Sequence, residues 1–235
     1  MTARGPLPRW LWLDAPLGAA LALAGIALFT DWQGPWLYSE RGLLELGHFA
    51  ILVLAVVYGA RVALALRAER ALAGWYFLAT VGALFTAGEE VSWGQHLVGF
   101  GTPEWLAAIN DQGETNLHNV TNWLDQKPRA VLELGIIVGG IVLPLLSLAW
   151  PGLAAARWWT VVPPVQLLPT AALAELARLG SGTWRDWGLG SDPVLFFRAS
   201  EVQETFFYWF VLVYLIAAYR RDVRPVALTA RRKTV

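Results

Sequence analysis

An all-α, polytopic transmembrane helical bundle is the fold class this sequence predicts, and three observations predict it. Of the 235 residues, 56% are hydrophobic and only 15% are charged, a balance foreign to a soluble domain. Six apolar stretches, 11–30, 43–66, 72–97, 129–150, 158–178 and 194–219, each approach or exceed the ~20 residues that a helix needs to cross a bilayer core. Threading the chain back and forth through them sorts the charges. One side collects Arg4, Arg9, Arg61, Arg67, Arg70, Arg157, Arg220, Arg221, Arg224, Arg231, Arg232 and Lys233, with only Asp14, Glu69 and Asp222 among the acids. The other side holds the remaining acidic residues. The basic excess places both termini in the cytoplasm and the acidic end outside, in the periplasm if the membrane is the inner membrane of a Gram-negative bacterium. Short tails and loops leave room for one transmembrane domain, 1–235, and no separate soluble one.

Taken in order, the first segment follows Arg4 and Arg9 as a secretory signal would, but Asp14 and Pro16 interrupt that pattern and a retained helix is expected. The second, third, fourth and sixth segments read as continuous helices. The fifth carries Pro163, Pro164 and Pro169, which remove backbone donors, so a kinked or partly unwound span is predicted. The long connection 98–128 lies on the acidic, outer face and reads as two short helices. Thr102 caps and Pro103 opens the first, which runs through Trp105 and Ile109; Gly113 makes the turn, and Thr115 caps a second helix reaching Leu124. Tryptophans such as Trp10, Trp12, Trp32, Trp36, Trp105 and Trp150 cluster at the predicted interfaces, where an amphipathic indole sits at headgroup level.

Composition also excludes several functions. The formal net charge is zero, but two opposite pools cancel across the bilayer, and neither resembles a nucleic-acid surface. The lipid bilayer is the partner read most directly, with the basic tail 220–233 touching anionic lipid. Absence of cysteine rules out disulfides, thiolate catalysis and Cys-ligated metals. Sixteen Arg against two Lys and abundant Ala point to a GC-rich bacterial genome. No internal repeat signals an inverted-repeat transporter.

Chemistry concentrates on the acidic side. The third segment ends in Gly88-Glu89-Glu90-Val91-Ser92-Trp93-Gly94-Gln95-His96, where helical steps would set Glu89, Ser92, Trp93 and His96 on one face with Glu90 beside them. Adjacent carboxylates at an apolar boundary need a cation, a shared proton or a facing Arg. At the same level the second segment begins with Glu45 and His48, spaced as in the Glu-x-x-His pairs of helical-bundle metal sites. The sixth segment offers Arg198, Glu201, Gln203 and Glu204. The loop adds Asn110, Asp111, Gln112, Glu114, Asn116, His118, Asn119 and Asn122, with Glu133, Glu175 and Arg178 at neighbouring depths. Plainer roles stand beside these: the Asn-rich loop can simply cap helix ends, Glu175 and Arg178 can form a local i, i+3 ion pair, and the sequon at Asn119 is expected to be chance. Glu45, His48, Glu89, Glu90, His118, Glu201 and Glu204 are expected to converge on one pocket roofed by 98–128, with one of Glu89 and Glu90 facing its centre and the other meeting Arg198 or a loop amide.

The stretches Gly-Glu-Glu-x-Ser-Trp-Gly-Gln at 88–95 and Gln-Gly-Glu-Thr-Asn-Leu-His-Asn at 112–119 resemble a group of uncharacterised bacterial polytopic membrane proteins. In that group the position matching His96 is often Arg, which counts against His96 as a metal ligand. Ser92 and His96 are also similar to the Ser-x-x-x-His step of the alkaline ceramidase and adiponectin-receptor superfamily, whose zinc sites lie in the membrane. The His-x-x-x-His pair of that superfamily's last helix is absent, because 201–205 reads Glu-Val-Gln-Glu-Thr.

Three functions follow as expectations. The first is a membrane-embedded, metal-dependent hydrolase acting on a lipid or lipid-linked substrate. Its divalent metal would take ligands from Glu45, His48, Glu90, His118, Glu201 and Glu204, and its catalytic groups would be Glu89, Glu90, Ser92, Glu114 and Asn119. The second is a proton- or cation-coupled transporter, and the third an accessory subunit whose polar face binds a partner protein.

Overall fold

The computed structural model describes residues 7–29, 37, 42–110, 113–117, 120, 122–155, 157–186 and 199–223. Every regular element among them is helical. A π-helical turn, Trp10–Asp14, leads into α1, Ala15–Phe29. Then come α2, Leu43–Ala65, and α3, Arg70–Glu90. Two short helices follow, α4, Gln95–Val98, and α5, Glu104–Ala107. Helix α6, Asn122–Ile136, continues through a π-helical stretch, Ile137–Val142, into α7, Leu143–Ala149. Last are α8, Leu168–Asp186, and α9, Ala199–Asp222. Five spans are long and apolar enough to cross a membrane: Leu43–Ala65, Arg70–Glu90, Arg129–Ala149, Trp159–Leu179 and Ala199–Asp222. The first of the six expected segments forms a shorter apolar helix, Trp10–Ile26.

Helix α9 is the centre of the bundle. It packs on α2 along one side and α8 along the other, and 56% of its span is buried against at most 28% for the other four. Phe206, Phe207, Phe210, Leu212, Val213 and Leu215 fill the core with Leu52, Val62, Ile136 and Leu167. Outward-facing Leu54, Leu64, Phe77, Leu78, Val131 and Leu148 are exposed, the surface a helix offers to lipid tails. Two glycines set close approaches. A Cβ at Gly59 would strike the hydroxyl of Thr80 on α3, and one at Gly140 would lie 2.6 Å from the Phe210 ring. The π-helical stretch around Gly139 and Gly140 is therefore where the Phe210 side chain enters.

The fifth span is broken where its prolines predict. Turns of 3₁₀ helix occupy Arg157–Val161 and Val165–Leu167, and regular α-helix starts only at Leu168. In a continuous helix the Thr160 carbonyl would accept from residue 164, which is proline and has no N–H. Helices α9 and α3 supply the missing donors. Arg221 donates to the Thr160 carbonyl, Tyr76 donates to it at 3.3 Å, and the Tyr214 hydroxyl donates to the Val161 carbonyl at 2.8 Å. The Arg221 guanidinium is itself held by Asp222 and by the Tyr76 oxygen.

In the connection 98–128 three expectations need correction. Thr102 caps no helix: its hydroxyl donates to the Gly113 carbonyl at 2.6 Å and accepts from the Gln95 amide at 2.8 Å, and α5 begins after Pro103 without a side-chain cap. Thr115 likewise opens no helix: residues 116 and 117 are not helical, its hydroxyl donates to that of Thr102 at 3.4 Å, and its N–H donates to Gln95 Oε1 at 2.8 Å. The helix expected to end at Leu124 instead runs unbroken from Asn122 to Ile136. Hydrogen bonds between the two ends of the loop outweighed the local capping pattern.

Gly59→Ala should lower thermal stability in mild detergent by about 1–3 kcal/mol, because Thr80 is β-branched and cannot swing clear. Gly74→Ala in α3, where the added methyl meets nothing within 4 Å, should leave it unchanged or raise it by up to ~1 kcal/mol. Equal shifts in paired thermal melts would contradict the packing described.

Candidate functional site

The site grows from the way α3 ends. Regular helix stops at Glu90, and the next residues turn left-handed: Ser92 has φ 45°, Trp93 φ 53° and Gly94 φ 97°. Two non-glycine residues in this region cost roughly 1–3 kcal/mol each and persist only when their surroundings hold them. Ser92 is wholly buried, and the Trp93 ring lies flat against Gly88, where a Cβ would sit 2.9 Å from it. The indole N–H of Trp93 donates to Glu89 Oε1. A single helical face carrying Glu89, Ser92, Trp93 and His96, as the spacing suggested, therefore does not form.

The reversal separates Glu89 from Glu90. Glu89 turns to the loop, where its Oε2 accepts the backbone N–H of Leu117 at 2.7 Å. Beside it is a buried clasp. Ser92 donates to Glu114 Oε2 at 2.7 Å, His96 Nε2 lies 2.8 Å from Glu114 Oε1, and Asn116 Nδ2 donates to Glu114 at 2.8 Å and to Ser92 at 3.1 Å. Asn110 closes it by donating to both oxygens of Asn116 and accepting the Glu114 N–H. The residue types are those of a nucleophilic triad, but the wiring is not. A triad histidine uses one ring nitrogen for the hydroxyl and the other for the carboxylate. Here both partners meet Nε2, at 3.1 Å for Ser92, and the buried Nδ1 has no partner among the described residues. Ser92 and Glu114 hold the loop to the end of α3.

Glu90 turns inward, to the junction of α2, α3 and α9. Its Oε2 lies 3.2 Å from His48 Nδ1 and its Oε1 accepts the Tyr208 hydroxyl at 2.8 Å. The other imidazole nitrogen, Nε2, faces α9 and lies 2.8 Å from the Thr205 hydroxyl, which also donates to the Glu201 carbonyl at 3.0 Å. The Tyr208 ring meets the imidazole edge-on at 5.1 Å. His48 is almost fully buried. Ligand atoms of His48, Glu201 and Glu204 all lie within 4.8 Å of one another. Of the seven groups expected to converge, His48, Glu90, Glu201 and Glu204 are brought together and Glu89 is directed to the loop. Glu45, half-buried in the first turn of α2, falls outside the group of mutually close ligand atoms. His118, Asn119 and Arg198 lie outside the described residues.

A second polar cluster flanks the first. Arg129 of α6 pairs with Glu204 at 3.0 Å and donates to Gln203 Oε1 at 2.7 Å. Arg178 pairs across to Glu133 of α6 instead of locally with Glu175, and the buried Oε1 of Glu175 has no partner among the described residues. Helix packing overrode the i, i+3 spacing. Thr205 and Tyr208 were not picked out from the sequence. The signal was there in part, since Glu201, Glu204, Thr205 and Tyr208 follow steps of three and four along α9.

One imidazole and two carboxylates are a donor set that suits zinc, manganese or iron and leaves coordination positions open. Glu90 stands behind the ring, where a carboxylate accepting from Nδ1 would turn Nε2 toward a cation. At the clasp, Glu114→Ala removes the carboxylate that Ser92, His96 and Asn116 share, at about 1–3 kcal/mol for each donor left unmet. Hydrogen exchange across 95–117 should rise well before the transmembrane helices melt; unchanged protection there would contradict the clasp. Comparison with protein-family models, with curated proteins and with solved structures finds no match for this chain.

Proposed function

We propose that this integral membrane protein is a metal-dependent enzyme that binds a divalent cation at His48, Glu201 and Glu204 and acts on a lipid or lipid-linked substrate from the outer side of the bacterial inner membrane. The observation that carries this reading is the approach of three ligand side chains from α2 and α9 within 4.8 Å, with Glu90 and Tyr208 orienting the imidazole behind them. A bound cation would supply an activated water for hydrolysis at neutral pH. The protein's own part would be to hold the ligands and, with a cation taking the place of Thr205 at Nε2, to have the Nδ1–H of His48 donate to Glu90.

The outward orientation rests on charge. The paired ends of α2, α3 and α9 carry Arg61, Arg67, Arg70, Arg220 and Arg221, with the Arg61 guanidinium 6.0 Å from the Tyr219 ring. The opposite ends carry Glu45, Glu89, Glu90, Glu201 and Glu204, against only Glu69 and Asp222 at the basic end. Reporter fusions after Lys127 and after Arg70 should report outside and inside respectively, and matching reports would overturn the topology.

Metal analysis after purification in mild detergent tests the site. Wild type should retain or rebind about one zinc, manganese or iron per chain, His48→Ala should bind none, and Glu90→Gln, which keeps all three ligands, should bind about 10–100-fold more weakly. Wild type without metal above that of empty micelles would overturn the reading. A coupled transporter is favoured instead by Glu175 Oε1 and Thr170 Oγ1 on α8, both buried without a partner among the described residues, since intramembrane carboxyls carry protons or ions along a path. Proton or cation flux in proteoliposomes that Glu175→Gln abolishes would support that second reading.

A further inference from the structure

Arg129 sits at the rim of the candidate cation site with capacity to spare. Its head group pairs with Glu204, donates to Gln203 and makes a long 3.4 Å contact to the Ser200 carbonyl. Among the described residues these occupy three of the five N–H donors of a guanidinium. The side chain is 29% exposed and that of Glu204 22%, so the pair is reachable from outside the bundle.

The second observation is the carboxamide beside it. Gln203 is 1% exposed, and its Nε2 is buried without an acceptor among the described residues. A flipped amide does not remove the problem. Turning the nitrogen toward Arg129 would set donor against donor where the guanidinium now meets Oε1 at 2.7 Å, so the orphan is the N–H group in either case. A buried donor left unpaired costs about 1–3 kcal/mol, and this one lies one carboxamide width from a guanidinium with donors free.

We infer that Arg129 and Gln203 form an anion subsite for a phosphate group, placing a phosphorylated compound beside the cation at His48, Glu201 and Glu204. As an assignment of substrate class this rests on the cation reading above. Planar guanidinium donors match two phosphate oxygens at once, and the Gln203 amide supplies a further donor. Glu204 and Glu201 oppose an anion here, as does Glu90 behind His48. A divalent cation together with Arg129 offsets those three carboxylates, so the phosphate is held with the cation bound and repelled without it. Glu204 is shared by the two halves of the site, which ties them together.

Isothermal titration of the full-length protein in mild detergent, with and without Mn²⁺, tests this with three probes: inorganic phosphate, dioctanoyl phosphatidic acid, and dioctanoylglycerol as the phosphate-free lipid. With Mn²⁺ present, phosphatidic acid should bind, and Arg129→Gln and Gln203→Met should each weaken it by about tenfold or more. Gln203→Met keeps volume and the Arg129–Glu204 pair, so it remains informative if Arg129→Gln folds poorly. Binding of free phosphate as well assigns the phosphate group alone, and binding of phosphatidic acid only assigns a lipid headgroup; both support the subsite. Equal affinity for dioctanoylglycerol, indifference to both substitutions, or no binding of either phosphate probe would overturn it. Phosphate binding that depends on Arg129 and Gln203 but not on Mn²⁺ would leave the anion subsite standing and sink the cation reading.

Discussion

Polar atoms at the depth of α9 have little water to turn to, and the rest of the structure follows from how they find partners in other helices. At the basic end Arg221 reaches the Thr160 carbonyl that Pro164 leaves without an N–H, and Tyr214 reaches the Val161 carbonyl beside it. At the acidic end Thr205 and Tyr208 meet His48 and Glu90. Each unmet group would cost several kcal/mol in hydrocarbon. The same helix therefore closes the gap in the fifth span and assembles the candidate site.

This double duty explains why α9 is the most buried span although it carries Glu201, Gln203, Glu204 and Arg221. Its apolar face packs the core, and its polar residues lie toward its two ends. A purely apolar helix would fill the centre as well but would leave the Thr160 carbonyl without its guanidinium donor. Glu90 shows the same economy, since one carboxylate accepts from both the imidazole and the phenol.

The spans, the break at Pro163 and Pro164, and the concentration of chemistry at one end were legible in the sequence because hydropathy, missing N–H groups and charge are properties of single residues or short windows. Glu89 and Glu90 stood out for the same reason. The left-handed turn at Ser92 and Trp93 was not legible, because it depends on a ring packing on Gly88 and on Glu114, whose place is set by the loop's return. Nor was the partner of Arg178. Spacing within one helix makes Glu175 available, and only the rotational setting of α6 against α8 brings Glu133 closer. Thr205 and Tyr208 escaped notice because neither is unusual in an apolar helix until the residue opposite is known.

The distance along the chain between site partners has a consequence for biogenesis. His48 and Thr205 are 157 residues apart, and Glu90 and Tyr208 are 118 apart. During synthesis the α2–α3 hairpin emerges long before α9, so its histidine and carboxylate enter the insertion machinery without the groups that later complete them. The hairpin must wait, hydrated at the membrane surface or shielded by an insertase, until the last span arrives. A ribosome stalled before α9 would thus leave an early half whose charged tip is recognisable to quality control, and delivery of the final helix would be the step that hides it.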